Sequence, residues 1–183
     1  FNISSLNVPS NSQRKKPWEN QTQEFIADNF GFKVREIGND KNQEPFMLLA
    51  GGPGLPHSSD YKSILAPKNS KRAIMFEPRC VADNQHITVN HADNDEARHQ
   101  AFIKSLEFNT LQNQIEDIEK ARLLIAPDKK ICIRGDSWGS TLALAYAQKY
   151  PKNVSALILN LPFLASKDDF EMRRGKNGEH AKK

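Results

Sequence analysis

Cysteine is nearly absent from this chain of 183 residues, which holds only Cys80 and Cys132. That scarcity excludes the disulfide framework that staples small secreted domains, and nothing in the sequence argues for a bridge within this one pair. Long apolar runs are missing too. No stretch reaches the ~18 residues that a membrane-crossing helix needs, so no membrane span is expected. There is little excess of either charge: 26 Lys and Arg against 22 Asp and Glu give a net charge of +4 and a pI near 9.0. The basic residues are scattered over Arg14-Lys15-Lys16, Lys71-Arg72, Lys129-Lys130 and the final residues. They form no stripe and do not interleave with aromatics, so nucleic acid is not an expected partner. Histidine is sparse, with five in all, and only His180 follows residue 137. What remains is a polar chain, 38% hydrophobic with a mean hydropathy of −0.67, yet long enough to bury one domain core.

The most informative stretch is Gly-Asp-Ser-Trp-Gly-Ser at 135–140. Before it, residues 130–134 read as a short buried strand. After it, residues 138–149 are rich in Ala and Leu at helical spacing and stop at Pro151. Strand, sharp turn with serine at the apex, then helix is the context of a nucleophile elbow. It makes Ser137 the candidate nucleophile, with Gly135 and Gly139 giving room where strand and helix crowd together. Upstream, the apolar run 46–50 leads into Gly51-Gly52-Pro53-Gly54. Acyl transfer places negative charge on the carbonyl oxygen, and each backbone N–H aimed at that point is worth roughly 3–4 kcal/mol. In the elbow architecture one such donor is the residue after the serine, here Trp138. The other comes from the loop after the third strand, here Gly52, with Gly51, Pro53 and Gly54 shaping that loop.

These residues resemble the prolyl aminopeptidase (proline iminopeptidase) family of α/β-hydrolases. The resemblance is carried by Gly51 to Tyr61, by Asn109-Thr110 and residues 115–120, and above all by Ser-Trp-Gly-Ser-Thr-Leu-Ala-Leu-Ala-Tyr-Ala from Ser137 onward. It covers most of residues 24–163 and matches an N-terminal portion of the family's length. It implies release of an N-terminal residue, often proline, from a peptide. Ser137 is then the nucleophile, Gly52 and Trp138 the oxyanion amides, a peptide the substrate, and neither a metal nor an organic cofactor is expected. The chain departs from the family at Ala50, where His is usual before the glycines. It departs again at 77–84, where Asp-Gln-Arg-Gly-Cys-Gly-Arg-Ser becomes Glu-Pro-Arg-Cys-Val-Ala-Asp-Asn, keeping Arg79 but losing the glycines.

A serine nucleophile needs a base and an acid to orient it, in the chain order serine, acid, histidine. Asp168, Asp169 and His180 follow in that order, but the polar composition around them argues for a solvated tail or the start of a truncated cap, and no catalytic role is assigned to them. His86, His91, His99, Asp93, Asp95 and Glu96 lie in a polar insert over 83–105, whose spacing fits no tight metal motif and reads as a surface loop.

The expected organisation is a polar arm at 1–20, the N-terminal part of an α/β-hydrolase domain at 21–163, and the polar segment 164–183. Strands are expected at 24–30, 32–37, 46–50, 73–76, 130–134 and 154–160, with a hairpin about Asn29 to Gly31 and a helical turn around Tyr61 to Leu65. A helix over 109–125 is expected to point Leu111, Ile115, Ile118 and Leu124 inward and Glu116, Asp117, Glu119 and Lys120 outward. Alternating strands and helices with apolar central strands predict a mostly parallel sheet covered on both faces; the resemblance implies that this is an α/β-hydrolase fold lacking its C-terminal strands and cap. The apolar run 156–159 is then an open edge that a C-terminal remainder or a second chain would complete. The rival reading is a non-catalytic or degenerate hydrolase-like subunit that binds a partner through that edge. The chain begins with Phe1, so a leader, tag or upstream sequence is expected to have been removed or left out. The expected compartment is the cytoplasm, with secretion or the periplasm as the alternative that sequons at Asn2, Asn20 and Asn153 weakly favour.

Overall fold

The computed structural model describes residues 19–27, 30–37, 40–56, 72–81, 84, 87–164 and 166–174. Most of the arm, the turn at 28–29, the segment Tyr61 to Leu65, His86 and His180 lie outside the described residues. Six strands form one sheet: β1 (Glu19–Ala27), β2 (Phe30–Ile37), β3 (Phe46–Leu49), β4 (Ala73–Phe76), β5 (Ile131–Asp136) and β6 (Val154–Asn160). Their order is β1-β2-β4-β3-β5-β6. β1 and β2 pair antiparallel, as does β2 with β4. β4, β3, β5 and β6 run parallel to one another.

All four residues of β3 and all four of β4 are buried, as central parallel strands require. Their alternation feeds two layers. Met47 and Leu49 of β3, Ile74 and Phe76 of β4, and Ile131 and Ile133 of β5 face the main core. Phe46, Leu48 and Met75 form a smaller cluster with Ile37 and Cys132. The main core is covered by α3 (Leu111–Ile125) and α4 (Trp138–Lys149), through Ile115, Ile118, Ala121 and Ile125 of the first and Leu142, Ala143 and Tyr146 of the second.

The inward face of α3 differs from the sequence expectation. Leu111 and Leu124 are exposed, while Ala121 and Ile125 fill the seam and Asp117 is fully buried. The reason is Arg79, whose Nε and Nη2 donate to the two Asp117 carboxylate oxygens at 2.7 and 2.8 Å. Its Nη1 donates to the Phe108 carbonyl at 2.7 Å, and its guanidinium lies over the Phe30 ring. A buried carboxylate is tolerable only when paired in this way. A second buried arginine, Arg72, donates to Glu36 at 2.6 Å and to the carbonyl of Ile125 at the C-terminus of α3. That contact favours a cation at the negative end of the helix dipole.

The polar insert is not a loop. It holds α1 (Ile87–Asn90) and α2 (Asp95–Ser105). Asn94 caps α2 by accepting the Ala97 N–H at 2.9 Å, and Asp95 and Glu96 occupy its first turn. A further helix, α5 (Lys167–Arg174), stands in the polar segment after 164. Ser166 caps its start, Oγ accepting the Asp169 N–H at 3.1 Å, and the buried Asp169 carboxylate accepts the Leu164 N–H at 2.9 Å. β1 begins at Glu19, several residues before the expected start.

Candidate active site

The C-terminal end of β5 runs into α4 through a single residue, Ser137. Its φ of 54° and ψ of −114° lie outside the wells that L-residues favour. Such a conformation costs about 1–3 kcal/mol and persists only when its surroundings over-determine it. Three groups do so here. The Ser137 N–H donates to the Asn160 carbonyl at 2.9 Å, and the Ser137 carbonyl accepts the Ser140 N–H at 2.9 Å. Ser140 Oγ bridges the Gly135 carbonyl at 2.8 Å and the Asn160 carbonyl at 3.2 Å. Gly139 lies so close to β3 that an added Cβ would sit under 3.0 Å from the Leu49 carbonyl, and Gly135 packs equally tightly on Gly139.

The glycine loop meets this turn. A Cβ on Gly51 would lie 3.2 Å from the Asp136 carbonyl and 3.4 Å from Ser137 Cβ. The loop therefore continues from Gly51 through Gly52, at φ 125°, and on to Gly54, at φ 88°, with a cis bond between Gly52 and Pro53. Only glycine adopts the Gly52 conformation without strain. Trp138 is the first residue of α4, where backbone N–H groups have no partner within the helix. Its indole N–H donates to Gln114 Oε1 at 3.4 Å, and its ring lies 6.5 Å from that of Phe163. The structure thus brings together Ser137, Trp138, Gly135, Gly139 and the loop from Gly51 to Gly54.

Among the described residues none that could act as a base is hydrogen-bonded to Ser137, whose hydroxyl also makes no capping bond to α4. His91 and His99 are exposed on or beside α2, and Asp169 is committed to the start of α5. An open depression between α1 and α2, lined by Val89, Asp95, Arg98, His99 and Phe102, lies on that same excursion from the sheet. Among the described residues no group of three His, Cys, Asp or Glu is set to hold a metal ion. Both thiols are unbridged, and burial pushes each above the usual cysteine range.

Two features of the site were not foreseen. Asn160, the last residue of β6, donates its amide to Asp136 Oδ1 at 2.6 Å, and its signal in sequence is no more than one polar residue ending an apolar strand. Cys80, at φ 63°, makes the left-handed turn of the altered 77–84 segment without a glycine. Asn84 holds that turn by accepting the Cys80 N–H at 2.7 Å and donating to the Glu77 carbonyl at 3.0 Å.

The family profile described as alpha/beta hydrolase fold matches residues 44–176. The proline iminopeptidase of Neisseria gonorrhoeae is 31% identical over 120 residues, which are 66% of this chain and 33% of that protein. That of Xylella fastidiosa (strain 9a5c) is 29% identical over 146 residues, 80% of this chain and 41% of the other. The chain therefore spans well under half the length of the curated relatives it matches. Among solved structures, a proline iminopeptidase-related protein from Thermus thermophilus superposes with a TM-score of 0.59 at 15% identity, covering 78% of this chain and 45% of that one.

Proposed function

Since the chain belongs to the alpha/beta hydrolase fold family, we propose that it carries the nucleophile half of a serine hydrolase of the proline iminopeptidase kind, acting on the N-terminal residue of a peptide. The observation that carries this reading is the strained Ser137 at the β5–α4 junction with the glycine loop packed against it. In this reading Ser137 Oγ attacks the carbonyl of the N-terminal residue, and the Gly52 and Trp138 amides hold the oxyanion that forms. The peptide amine leaves with a proton, and water then releases the acyl group from the serine. Base and acid come from polypeptide that continues the sheet beyond β6 or from a second chain. The relatives, proline iminopeptidases by name, support the substrate class.

The test is the intact mass, after exposure to a fluorophosphonate, of the protein with the polypeptide that completes the sheet present, because the reagent marks serines already activated by a base. A single adduct that disappears in Ser137→Ala is the expected result, accompanied by turnover of a proline anilide. The absence of any described base at Ser137 favours a second reading, a hydrolase-like subunit without catalysis that pairs through β6. A clean, unlabelled mass from folded protein gives that reading the lead.

A further inference from the structure

We infer that Asn160, anchored by Asp136, is a positioning residue for the Ser137 turn, so that the end of β6 sets the direction of the reacting serine. The inference rests on the nucleophile reading for what the placement serves.

The geometry is a closed chain of contacts. One carbonyl, that of Asn160, accepts both the Ser137 N–H at 2.9 Å and Ser140 Oγ at 3.2 Å. It therefore grips the turn at its apex and at the first turn of α4. The direction of that carbonyl is fixed on both sides. The Asn160 side chain donates to Asp136 Oδ1 at 2.6 Å, across the register pair Asp136–Asn160 that closes the β5–β6 ladder. The next residue, Leu161, turns away at φ 49°, which an L-residue adopts only when held. Arg134 Nη2 lies 3.4 Å from the same Asp136 oxygen. β6 brings to it the neutral amide of Asn160, and the glycine loop against the Asp136 backbone carries no titratable side chain over 51–56. A charge-assisted bond from a neutral amide to a carboxylate is directional. Holding the side chain of Asn160 against Asp136 restrains the backbone of the same residue, whose carbonyl holds Ser137.

Asn160→Asp tests this by setting two carboxylates against each other. Like charges repel there and acid relieves the repulsion, so the comparison is made at about pH 5 and about pH 8. Amide hydrogen exchange in the peptide spanning 136–140 is compared with wild type at each pH. At the higher pH the variant is expected to exchange about tenfold faster or more, and at the lower pH to approach wild type. β3 and β4 serve as unchanged controls. The swap Asp136→Asn with Asn160→Asp restores one amide–carboxylate pair with donor and acceptor exchanged, and is expected to return the segment to wild-type exchange at both pH values. A residue that only supports the fold would not show this local, pH-gated and swap-rescued pattern. Wild-type exchange in Asn160→Asp at both pH values overturns the inference. So does a swap that stays fast or does not fold, and the swap alone decides if Asn160→Asp cannot fold. With the polypeptide that supplies the base present, fluorophosphonate labelling of Ser137 slows wherever exchange quickens if Ser137 is a nucleophile. A wild-type protein so completed that takes no label removes that reading and leaves exchange to decide the positioning.

Discussion

Ser137 holds its backbone where an L-residue goes only under constraint, and much of that constraint is the absence of side chains nearby. Gly139 faces the Leu49 carbonyl at a distance no Cβ tolerates, whereas nothing stands within 4 Å of a Cβ added to Gly54. Gly139→Ala is therefore expected to lower stability by about 3 kcal/mol or more, because backbone cannot give way. Gly54→Ala should cost only about 1 kcal/mol, from its positive φ. Urea unfolding of the two variants side by side measures the difference, and equal losses would mean that the β3–α4 approach is not the limiting contact. This tightness is why the elbow was legible in the sequence: a close approach admits one residue type, and glycine at fixed spacing records it. Cys80 left no such record. Its left-handed turn is held by Asn84, and a cysteine at that position announces nothing about φ.

At the scale of elements, the seam between α3 and α4 is joined by acids that accept phenols. Tyr146 donates to Glu119 at 2.5 Å and Tyr150 to Glu116 at 2.6 Å. Arg122 grips Glu119 at 2.7 and 2.9 Å, and Asn153 donates to it at 3.1 Å. Burial pushes Glu119 up, but these bonds outweigh it and hold the carboxyl below its usual range. Bonds from Lys149 and Tyr150 lower Glu116 as well. Carboxyls lowered on folding stabilise the protein above their unfolded pKa, near 4.3, and that contribution is lost as pH falls through the lower folded values. The Glu116 bond, with burial, pushes Tyr150 up to about 12. Tyr146 is raised further, by burial first and then by Glu119. The phenols thus stabilise below their unfolded pKa, near 10, and the contribution fades as pH rises through the folded values. Thermal melts across pH should show Glu119→Gln flattening the acid limb below about pH 4.5, and Tyr150→Phe flattening the alkaline limb between about 10 and 12. An unchanged alkaline limb in Tyr150→Phe would remove the phenol from the seam's energetics. The span of α3 was readable from its period, but not which acid goes inside. Asp117 is buried because Arg79 arrives from another element, and periodicity carries no record of a partner 38 residues upstream. α2 was missed for the opposite reason. Its capping and first-turn acids were present, but its only buried residue is Ser105, so no apolar face marked it.

For the whole molecule, the mostly parallel sheet was legible in the alternation of apolar strands and helices, and the open edge at β6 in the apolar run 156–159, whereas the strand order was not. β6 pairs only with β5 among the described strands. No residue of the strand is charged; Ile158 is 45% exposed and Leu161 beyond it 70%. Natural edges usually carry lysine, proline or a bulge to prevent pairing with a neighbour. Ile158→Lys should accordingly reduce concentration-dependent self-association, measured by light scattering after size exclusion, with little change in melting temperature. Association that persists in the variant would place the sticky surface elsewhere. The sheet order has one more consequence, for the chain as it is being made. β3 lies between β4 and β5, and Phe46 pairs with both Ala73 and Cys132. On a ribosome adding about 5–20 residues per second, β3 and β4 emerge and wait several seconds for their central neighbour. During that interval the most apolar strands have a bare edge and no α3–α4 layer above them. The nascent protein is therefore most dependent on chaperones before β5 is made, and the serine turn is completed later still, when β6 delivers the Asn160 carbonyl to Ser137.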